Sequence, residues 1–498
     1  MTAPSGSPQT GGTLAREMGV LGLVATGVCA MVGAAINVIP FMIQRNVPGI
    51  GASVLPAYLL AAVPALFAAL AYAILASAMP RAGGSYVYAS RGLNPYLGFV
   101  ASFSQWFSLC VAIGVVSYLL VPFLRDVALA AGASGVSAAL ETGAARLVIP
   151  IAVLWTFVGV NLRGIAAYQR TVVPLMFLTL ILGGLVIIAG FSYDHVDFLL
   201  AVGDTTVQEI DAPDTAAGIR PVFIASVLLF SSFIGFDTIA QAGGEARDAA
   251  RTLPLAIGIA IIGVALFYFL FTAAVYHAVP WQWVAEQAQT RDLTAPGLLA
   301  PLLPRPLTVV MVSGAAVALM KDLPAMLLGT SRLMFAWAED GIFPAAVARV
   351  HPVRRMPDTA ILASGAMATA GILGSHLAGD FFLGVDILVI SMLINFLLMS
   401  IAVLTLPGRN PGLAARVRVL PQRGAQVALA GAGVLVIGAF LVMHVWRDVT
   451  TDTAWYFRST NLWLVMLGAA SLIYWRERAS LVRRGVDVRT VFETLPPE

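Results

Sequence analysis

Twelve apolar runs, each about as long as a bilayer is thick, follow one another along this 498-residue chain. A helix needs about 20 apolar residues to cross the hydrocarbon core of a membrane. Only 11% of the residues are charged, whereas a soluble domain carries roughly 25%. We therefore predict an all-α membrane protein with twelve transmembrane helices. The predicted spans are 19–44, 51–79, 95–124, 147–162, 170–191, 219–243, 253–279, 305–338, 358–376, 381–406, 425–445 and 460–476.

The distribution of arginine predicts which side of the membrane each loop faces. Lys321 is the only lysine, so arginine carries nearly all of the positive charge. If the N-terminus is cytoplasmic, twenty arginines lie on cytoplasmic segments and eight on external ones. This is the bias that the positive-inside rule describes. We therefore expect a multi-pass protein of the cell membrane with two cytoplasmic tails, at 1–18 and 477–498.

The charge and the reactive residues argue against several classes of protein. A net charge of +3 is too small and too dispersed for a nucleic-acid partner. Cys29 and Cys110 lie inside apolar runs, and the five histidines have no metal-binding spacing, so no metal or cofactor is expected. No catalytic set shares one depth, as a membrane-embedded enzyme would require, and no repeated filter motif indicates a channel. No obligatory protein partner is evident.

Two of the predicted helices are interrupted by glycine near their middle. A broken helix inside a bilayer is tolerated only where it lines a cavity or is buried in protein. Its freed N–H groups attract a carboxylate and its freed carbonyls attract an ammonium or another cation. Breaks at corresponding positions of two halves indicate a transporter binding site, although small residues also occur where helices merely pack closely. The predicted substrate-binding residues are Met31, Gly33, Ala34, Ala35 and Ile36 at the first break, and Ser231, Ser232, Phe233, Ile234 and Gly235 at the second.

Three sequence blocks carry a family resemblance. They are 79–88 (MPRAGGSYVY); 233–237 (FIGFD), followed by Glu245, Arg251 and Pro254; and 329–332 (GTSR), followed by 340–344 (DGIFP). In this order they resemble motifs of the amino acid–polyamine–organocation permease superfamily, over roughly residues 15 to 410.

The resemblance implies a leucine-transporter-like fold. The helices within 19–192 and 219–406 would form two inverted repeats of five helices each, and 425–476 would add two peripheral helices. It also implies a secondary active transporter that moves an amino acid or amine by alternating access, coupled to protons or by exchange. Because the break residues offer little charge, we favour a neutral amino acid. A permease for polyamines or other organic amines, or a nutrient sensor derived from a transporter, remains an alternative.

Asp237 and Lys321 are the residues that we predict to act in proton or ion coupling, because charge at membrane depth is costly. Asp237 directly follows the second break, where it could act in substrate or proton traffic or only cap the second half-helix. Lys321 lies near the middle of the eighth span. Asp322 is its neighbour, but consecutive helical residues do not face each other, so we expect no ion pair between them.

The resemblance gives Lys321 a specific role. Sodium-coupled relatives have a cation site between helices one and eight, and in other members a lysine of helix five fills it. The corresponding position here is Thr179, and helix five has no lysine. We expect the Lys321 ammonium to fill that site, bonded to carbonyls near Val32 and Gly33, and to release its proton during the cycle. The alternatives are a counter-charge to an acid such as Asp237, a snorkelling residue, and direct capture of an acidic substrate.

Overall fold

The computed structural model of the chain describes residues 14–203, 217–378, 382–451 and 454–496. Most of the N-terminal tail predicted at 1–18 lies outside these residues. Regular structure in the described ranges is helical, with two isolated backbone bridges, Met18 to Ala246 and Ala82 to Ala242. The fold class predicted from the apolar runs, an all-α membrane protein, is confirmed.

The first half of the described chain contains two helices that together form the first span, followed by four further long helices and several short ones. The helices are α1 (Val20–Met31), α2 (Ala34–Asn46), α3 (Val54–Ala78), α4 (Gly84–Gly92), α5 (Pro95–Ala130), α6 (Ser134–Leu140), α7 (Gly143–Leu162), α8 (Ile165–Ser192) and α9 (His195–Val202).

The second half also begins with a broken span and continues with long helices. The helices are α10 (Ile219–Leu229), α11 (Asp237–Gln241), α12 (Ala249–Ala278), α13 (Trp281–Thr290), α14 (Ala295–Leu299), α15 (Arg305–Glu339), α16 (Asp358–Ala378), α17 (Phe382–Arg409), α18 (Pro411–Ala414), α19 (Arg423–Thr450), α20 (Ser459–Arg483) and α21 (Val488–Glu493).

Eleven of the twelve predicted spans correspond to segments of the described chain that are long and apolar enough to cross a membrane. The twelfth, predicted at 460–476, corresponds to α20, which has 25 residues but is not among those eleven. Large apolar side chains such as Ile262, Leu435 and Leu472 are exposed on the outer helices. Lipid covers such side chains in a membrane protein, whereas in water they would be costly to expose.

The centre of the bundle is built from the broken spans and their neighbours. Helix α5 packs along α15, α16 and α17, and α1 packs against α8, α12 and α15. Both broken spans are mostly buried by the surrounding helices. The backbone groups that the breaks free are therefore kept away from lipid, as the bilayer requires.

Candidate functional site

The first broken span passes from α1 to α2 through two residues. Helix α1 ends at Met31, Val32 and Gly33 have non-helical dihedral angles, and α2 begins at the next residue. Side chains also bind carbonyls at the break: the Tyr268 hydroxyl donates to Met31 O (2.5 Å) and Asn37 Nδ2 donates to Gly33 O (3.1 Å). Because lipid cannot satisfy these groups, such bonds stabilise the interruption.

The second broken span passes from α10 to α11. A 3-10 turn, Phe230–Phe233, follows α10, and Ile234 is extended. Gly235 has a φ of 133°, a conformation that residues with a side chain rarely adopt. A Cβ at Gly235 would also lie 2.5 Å from the carbonyl oxygen of Ala30. The two breaks therefore face each other, and both conformation and space require glycine at position 235.

A cavity of about 90 Å³ lies between the two breaks. Its lining includes five of the predicted binding residues: Met31, Ala35, Ser231, Ile234 and Gly235. Apolar residues of α5, α15 and α17, such as Leu109, Met326 and Leu388, complete the walls. Among the described residues that line it, Asp322 and Ser231 are the polar side chains. The cavity therefore offers one carboxylate within mainly apolar walls.

Other predicted binding residues lie near the cavity without lining it. Phe233 is buried, and its ring centroid lies 5.6 Å from that of Tyr268. Ile36 lines a separate, narrow cleft towards α8. Ser232 is buried, and the side chain of Ala34 lies outside the described part of the chain. Phe233, Ile36 and Ser232 are therefore not part of the described lining of this cavity.

Lys321 is fully buried on α15, beside the end of α1. Its ammonium donates to Cys29 O (3.2 Å), to Val32 O and to Asp322 Oδ1 (3.1 Å). These three acceptors match the three N–H donors of a lysine ammonium. Thr179, the counterpart of the helix-five lysine, lines a cleft beside Val32. The expected contact with Val32 O is present, and the coupling role of Lys321 remains a prediction.

The prediction that Lys321 and Asp322 do not pair is wrong. The ammonium and the carboxylate are 3.1 Å apart and both side chains are buried. Consecutive helical residues start about 100° apart around the helix axis, but the four-carbon lysine stem lets the ammonium turn back towards the carboxylate. The acid that Lys321 neutralises is therefore Asp322, whereas Asp237 has no ion-pair partner among the described residues.

Asp322 also contacts the first break. A Cβ at Gly33 would overlap the Asp322 carboxylate, so only hydrogen fits at that position. Gly33 directly precedes α2, and the first turn of a helix has unpaired N–H groups that attract negative charge. A carboxylate of the protein therefore lies beside the helix terminus where the sequence predicts a carboxylate of the substrate.

Asp237 belongs to a buried polar network beside the second break. One of its oxygens accepts from Gly235 N (3.2 Å) and the other accepts from Gln105 Nε2. The Gln105 side-chain oxygen accepts in turn from Ser85 Oγ (2.5 Å) and Asn395 Nδ2 (2.9 Å). Asp237 is not among the described residues that line the cavity. Asp237 therefore binds the backbone of the break itself, whereas α11 has no side-chain cap, so this contact is not the helix capping considered from the sequence.

Three residues of this site were not predicted from the sequence: Tyr268, Gln105 and Asp322. All are polar residues inside predicted apolar spans, and such residues need a partner when they are buried. Because of this requirement, the sequence could have indicated that Tyr268 and Gln105 bind either backbone groups at a helix break or another buried polar side chain. Asp322 was noticed only as the neighbour of Lys321, although an acid at mid-depth is itself a candidate functional residue.

Four charged side chains meet at the end of the bundle where α1 begins. They belong to the sequence blocks that carry the family resemblance, or lie adjacent to those blocks. Arg332 Nε donates to Glu245 (2.6 Å), and Arg91 binds Asp340 through two hydrogen bonds of 2.5 and 2.8 Å. All four side chains are buried. Breaking such a pair by moving one partner leaves an uncompensated charge, which is strongly unfavourable. The two buried ion pairs therefore hold the helices together at this end of the bundle.

A larger cavity, of about 660 Å³, lies at the opposite end. Its lining includes Val47, Arg220 and Leu383, as well as Arg447, which pairs with Asp386. The residue after Leu383 lines the smaller cavity between the breaks. The two cavities are therefore neighbours along α17, and both lie on the side of the bundle away from the buried ion pairs.

Comparisons with known proteins agree with this architecture. A family model described as amino acid permease matches residues 18–470. The branched-chain amino acid permease BcaP of Bacillus subtilis (strain 168) is 28% identical over 201 residues, 40% of this chain and 42% of that protein. The vacuolar cationic amino acid transporter 4 of Arabidopsis thaliana is 28% identical over 153 residues, 31% and 25% of the two chains.

The low-affinity putrescine importer PlaP of Escherichia coli (strain K12) is 25% identical over 321 residues, 63% of each chain. The matched segments thus span less than two thirds of each of these three relatives. The family model, in contrast, covers almost the whole chain. The chain therefore belongs to the amino acid permease family, within the amino acid–polyamine–organocation superfamily, and is a multi-pass membrane protein of a family of transporters.

Proposed function

We propose that the protein is a secondary active transporter that moves a small amino acid or a related amine across the cell membrane by alternating access. The observation that carries this proposal is the cavity between two facing helix breaks, in a bundle whose one end is closed by buried ion pairs. Binding at interrupted helices is the usual arrangement in transporters of inverted-repeat architecture. Both termini are proposed to be cytoplasmic, which makes the closed end the cytoplasmic one.

The conformational cycle follows from this geometry. The helices within 19–192 and 219–406 would act as two inverted repeats, each contributing one broken span to the cavity. Rocking of one unit against the other would narrow the larger cavity and separate the ion pairs Arg332–Glu245 and Arg91–Asp340. Because both pairs are buried, their separation requires water or new partners to reach them. The closed end would therefore open as a whole rather than residue by residue.

Proton coupling is proposed for Lys321. Its ammonium bridges two carbonyls at the end of α1 and the Asp322 carboxylate on α15, so it ties the broken span to its neighbour. Release of the proton would remove the positive charge from this junction and weaken the tie. An exchange mechanism remains the alternative, because the exchange of an internal for an external substrate molecule needs no proton.

A substrate with an uncharged body is proposed because the cavity walls are mainly apolar. The name of BcaP, a branched-chain amino acid permease, is consistent with such a body. The name of PlaP, a putrescine importer, is consistent with an amine. A diamine would place its second ammonium among apolar residues, where an unpaired charge is costly.

Transport by purified protein in proteoliposomes tests the proposal, with valine substitutions at the breaks as site variants. Gly33→Val would overlap the Asp322 carboxylate, and Gly235→Val would add both a clash with Ala30 and a strained φ. We expect both variants to insert in the membrane and to lose uptake. Gly438→Val on α19 is the matched control, since a Cβ there meets nothing within 4 Å.

Unchanged half-saturation and rate in both break variants would show that these glycines do not form the substrate site. A protein that binds amino acids or amines but transports none into the vesicles would be a sensor rather than a carrier.

A further inference from the structure

The position of Asp322 bears on the chemical class of the substrate. Its carboxylate lies against Gly33, beside the first turn of α2, and it also lines the cavity between the breaks. A zwitterionic substrate needs a partner for its own carboxylate, and the freed N–H groups at this helix terminus are the partner that the fold offers. Here the Asp322 carboxylate, paired with Lys321, already lies at that place.

The buried lysine does not offer a second place for a substrate carboxylate. The three N–H donors of Lys321 have acceptors at Cys29 O, Val32 O and Asp322 Oδ1. Accepting a substrate carboxylate would require one of these bonds to be given up. Among the described lining residues of the cavity, the side chains other than Asp322 carry no charge. A bound carboxylate would therefore lie near the Lys321–Asp322 pair, and the described lining offers no further cation to compensate it.

We infer that the cavity takes a primary amine that has an apolar body and no carboxylate, with Asp322 as the acceptor of its ammonium. The inference rests on the proposed transport function and narrows its substrate class. A carboxylate has room for about four hydrogen bonds, so Asp322 can accept from an ammonium while it remains paired with Lys321. The apolar walls formed by residues such as Leu109, Met326 and Leu388 suit a hydrocarbon tail.

The same geometry separates this substrate from two related classes. An α-amino acid would bring a second carboxylate close to Asp322, where the one nearby ammonium, that of Lys321, is already paired, and a buried charge without a partner is costly. A diamine would satisfy one ammonium at Asp322 and leave the other against apolar walls. A monoamine, such as the decarboxylated form of an apolar amino acid, has neither a carboxylate near Asp322 nor a second ammonium against apolar walls.

Competition for uptake by wild-type protein tests the inference, with three probes that share one side chain. Isoamylamine has the ammonium and the apolar tail, leucinamide adds an uncharged amide, and leucine adds the carboxylate. Putrescine is the diamine probe. Leucine has the same ammonium but would bury a carboxylate without a partner, which is costly, so we expect isoamylamine to bind about tenfold or more tighter than leucine. Leucinamide is expected to resemble the amine, because it lacks the negative charge.

Substitutions at Asp322 assign the effect to this carboxylate. Asp322→Asn should weaken isoamylamine about tenfold or more and reduce its preference over leucine, whereas Asp322→Glu should restore most of the amine binding. Asp126→Asn is the matched control, since Asp126 is a partly exposed residue paired with Arg125 and does not line the cavity. Lys321→Met retains the Asp322 carboxylate and removes the lysine ammonium that would compete with a substrate ammonium for it. In that variant isoamylamine should raise the melting temperature more than in wild type.

The outcomes distinguish the inference from the proposal on which it rests. If leucine is taken up and competes better than isoamylamine and leucinamide, the substrate class is wrong and the transport function stands. The same holds if putrescine is the strongest competitor, or if Asp322→Asn leaves amine binding unchanged. If neither amino acids nor amines are bound or taken up, the transport function fails together with the inference. If Asp322→Asn does not fold, the three-probe competition in wild type and the behaviour of Asp322→Glu decide the question.

Discussion

Replacing Lys321 with methionine is the substitution that probes the site most directly, because it keeps the length of the side chain and removes its charge. In the wild-type protein the ammonium has three partners: Cys29 O, Val32 O and Asp322 Oδ1. Lys321 is fully buried and Asp322 is 5% exposed, so water compensates little for lost bonds. The variant therefore leaves a buried carboxylate and two backbone carbonyls without this donor.

The expected loss of stability follows from those contacts. Removing one partner of a buried ion pair typically costs about 3–5 kcal/mol, because the remaining charge is left uncompensated. The two carbonyls lose this donor in both Lys321→Met and Lys321→Met/Asp322→Asn, so their cost cancels in the comparison. The double variant no longer has the uncompensated charge, so we expect it to be the more stable of the two by up to about 3–5 kcal/mol. Unfolding of the purified proteins in one detergent measures the difference.

Uptake against an imposed pH gradient tests the coupling role. We expect wild-type protein to accumulate substrate with a proton gradient and to gain nothing from sodium. Lys321→Met should lose gradient-driven accumulation while it retains exchange of internal for external substrate. Lys321→Arg keeps the positive charge but does not release its proton in a protein, so it should preserve stability better and still lose the pH response.

Two results would refute this reasoning. Sodium-dependent uptake by the wild-type protein would mean that a cation, rather than the lysine, serves the site between α1 and α15. A full pH profile in Lys321→Met would mean that the proton is carried elsewhere. If the single variant were as stable as wild type, the ion pair with Asp322 would not contribute in the way that the geometry indicates.

Two further substitutions test the closed end and the second break. Arg332→Met should lower the free energy of unfolding by about 3–5 kcal/mol, since it leaves Glu245 buried and unpaired, and Arg332→Met/Glu245→Leu should recover most of that loss. Asp237→Asn should cost about 1–3 kcal/mol, because its amide would oppose the donating amide of Gln105. The pH profile of uptake should be unchanged in Asp237→Asn if Asp237 only binds the backbone of the break; a changed profile would assign it to proton traffic. Unfolding in detergent and uptake in proteoliposomes measure both.

The transmembrane helices were predictable because the bilayer fixes what a span must be. A run of about 20 apolar residues has few alternatives in lipid, and the predicted spans agree with the described helices to within a few residues at most ends. Helix α20 shows the limit of this reasoning. Its length suits a membrane span, but polar residues at both ends lower its hydropathy. Its composition therefore identifies it less clearly as a membrane span.

The glycine breaks were predictable in position but only partly in cause. Gly235 has the positive φ that makes glycine necessary, as a break in a helix suggests. Gly33 has a φ of −131°, so a positive φ is not what requires glycine there. Glycine is required because Asp322 packs against it. That contact depends on how α15 is rotated against α1, and a single sequence contains no direct record of this rotation.

The pairing of Lys321 with Asp322 shows why the rule for helix neighbours failed at this site. The rule describes side chains on a helix surface, where water can solvate each charge separately and direction decides which residues meet. In a membrane bundle there is no such solvent, and a charged group gains most by reaching the few polar atoms that are exposed nearby. The break after Met31 provides those atoms, including the Val32 carbonyl. The charges of Lys321 and Asp322 therefore turn towards the same break, and the position of the break, rather than the face of the helix, determines where they meet.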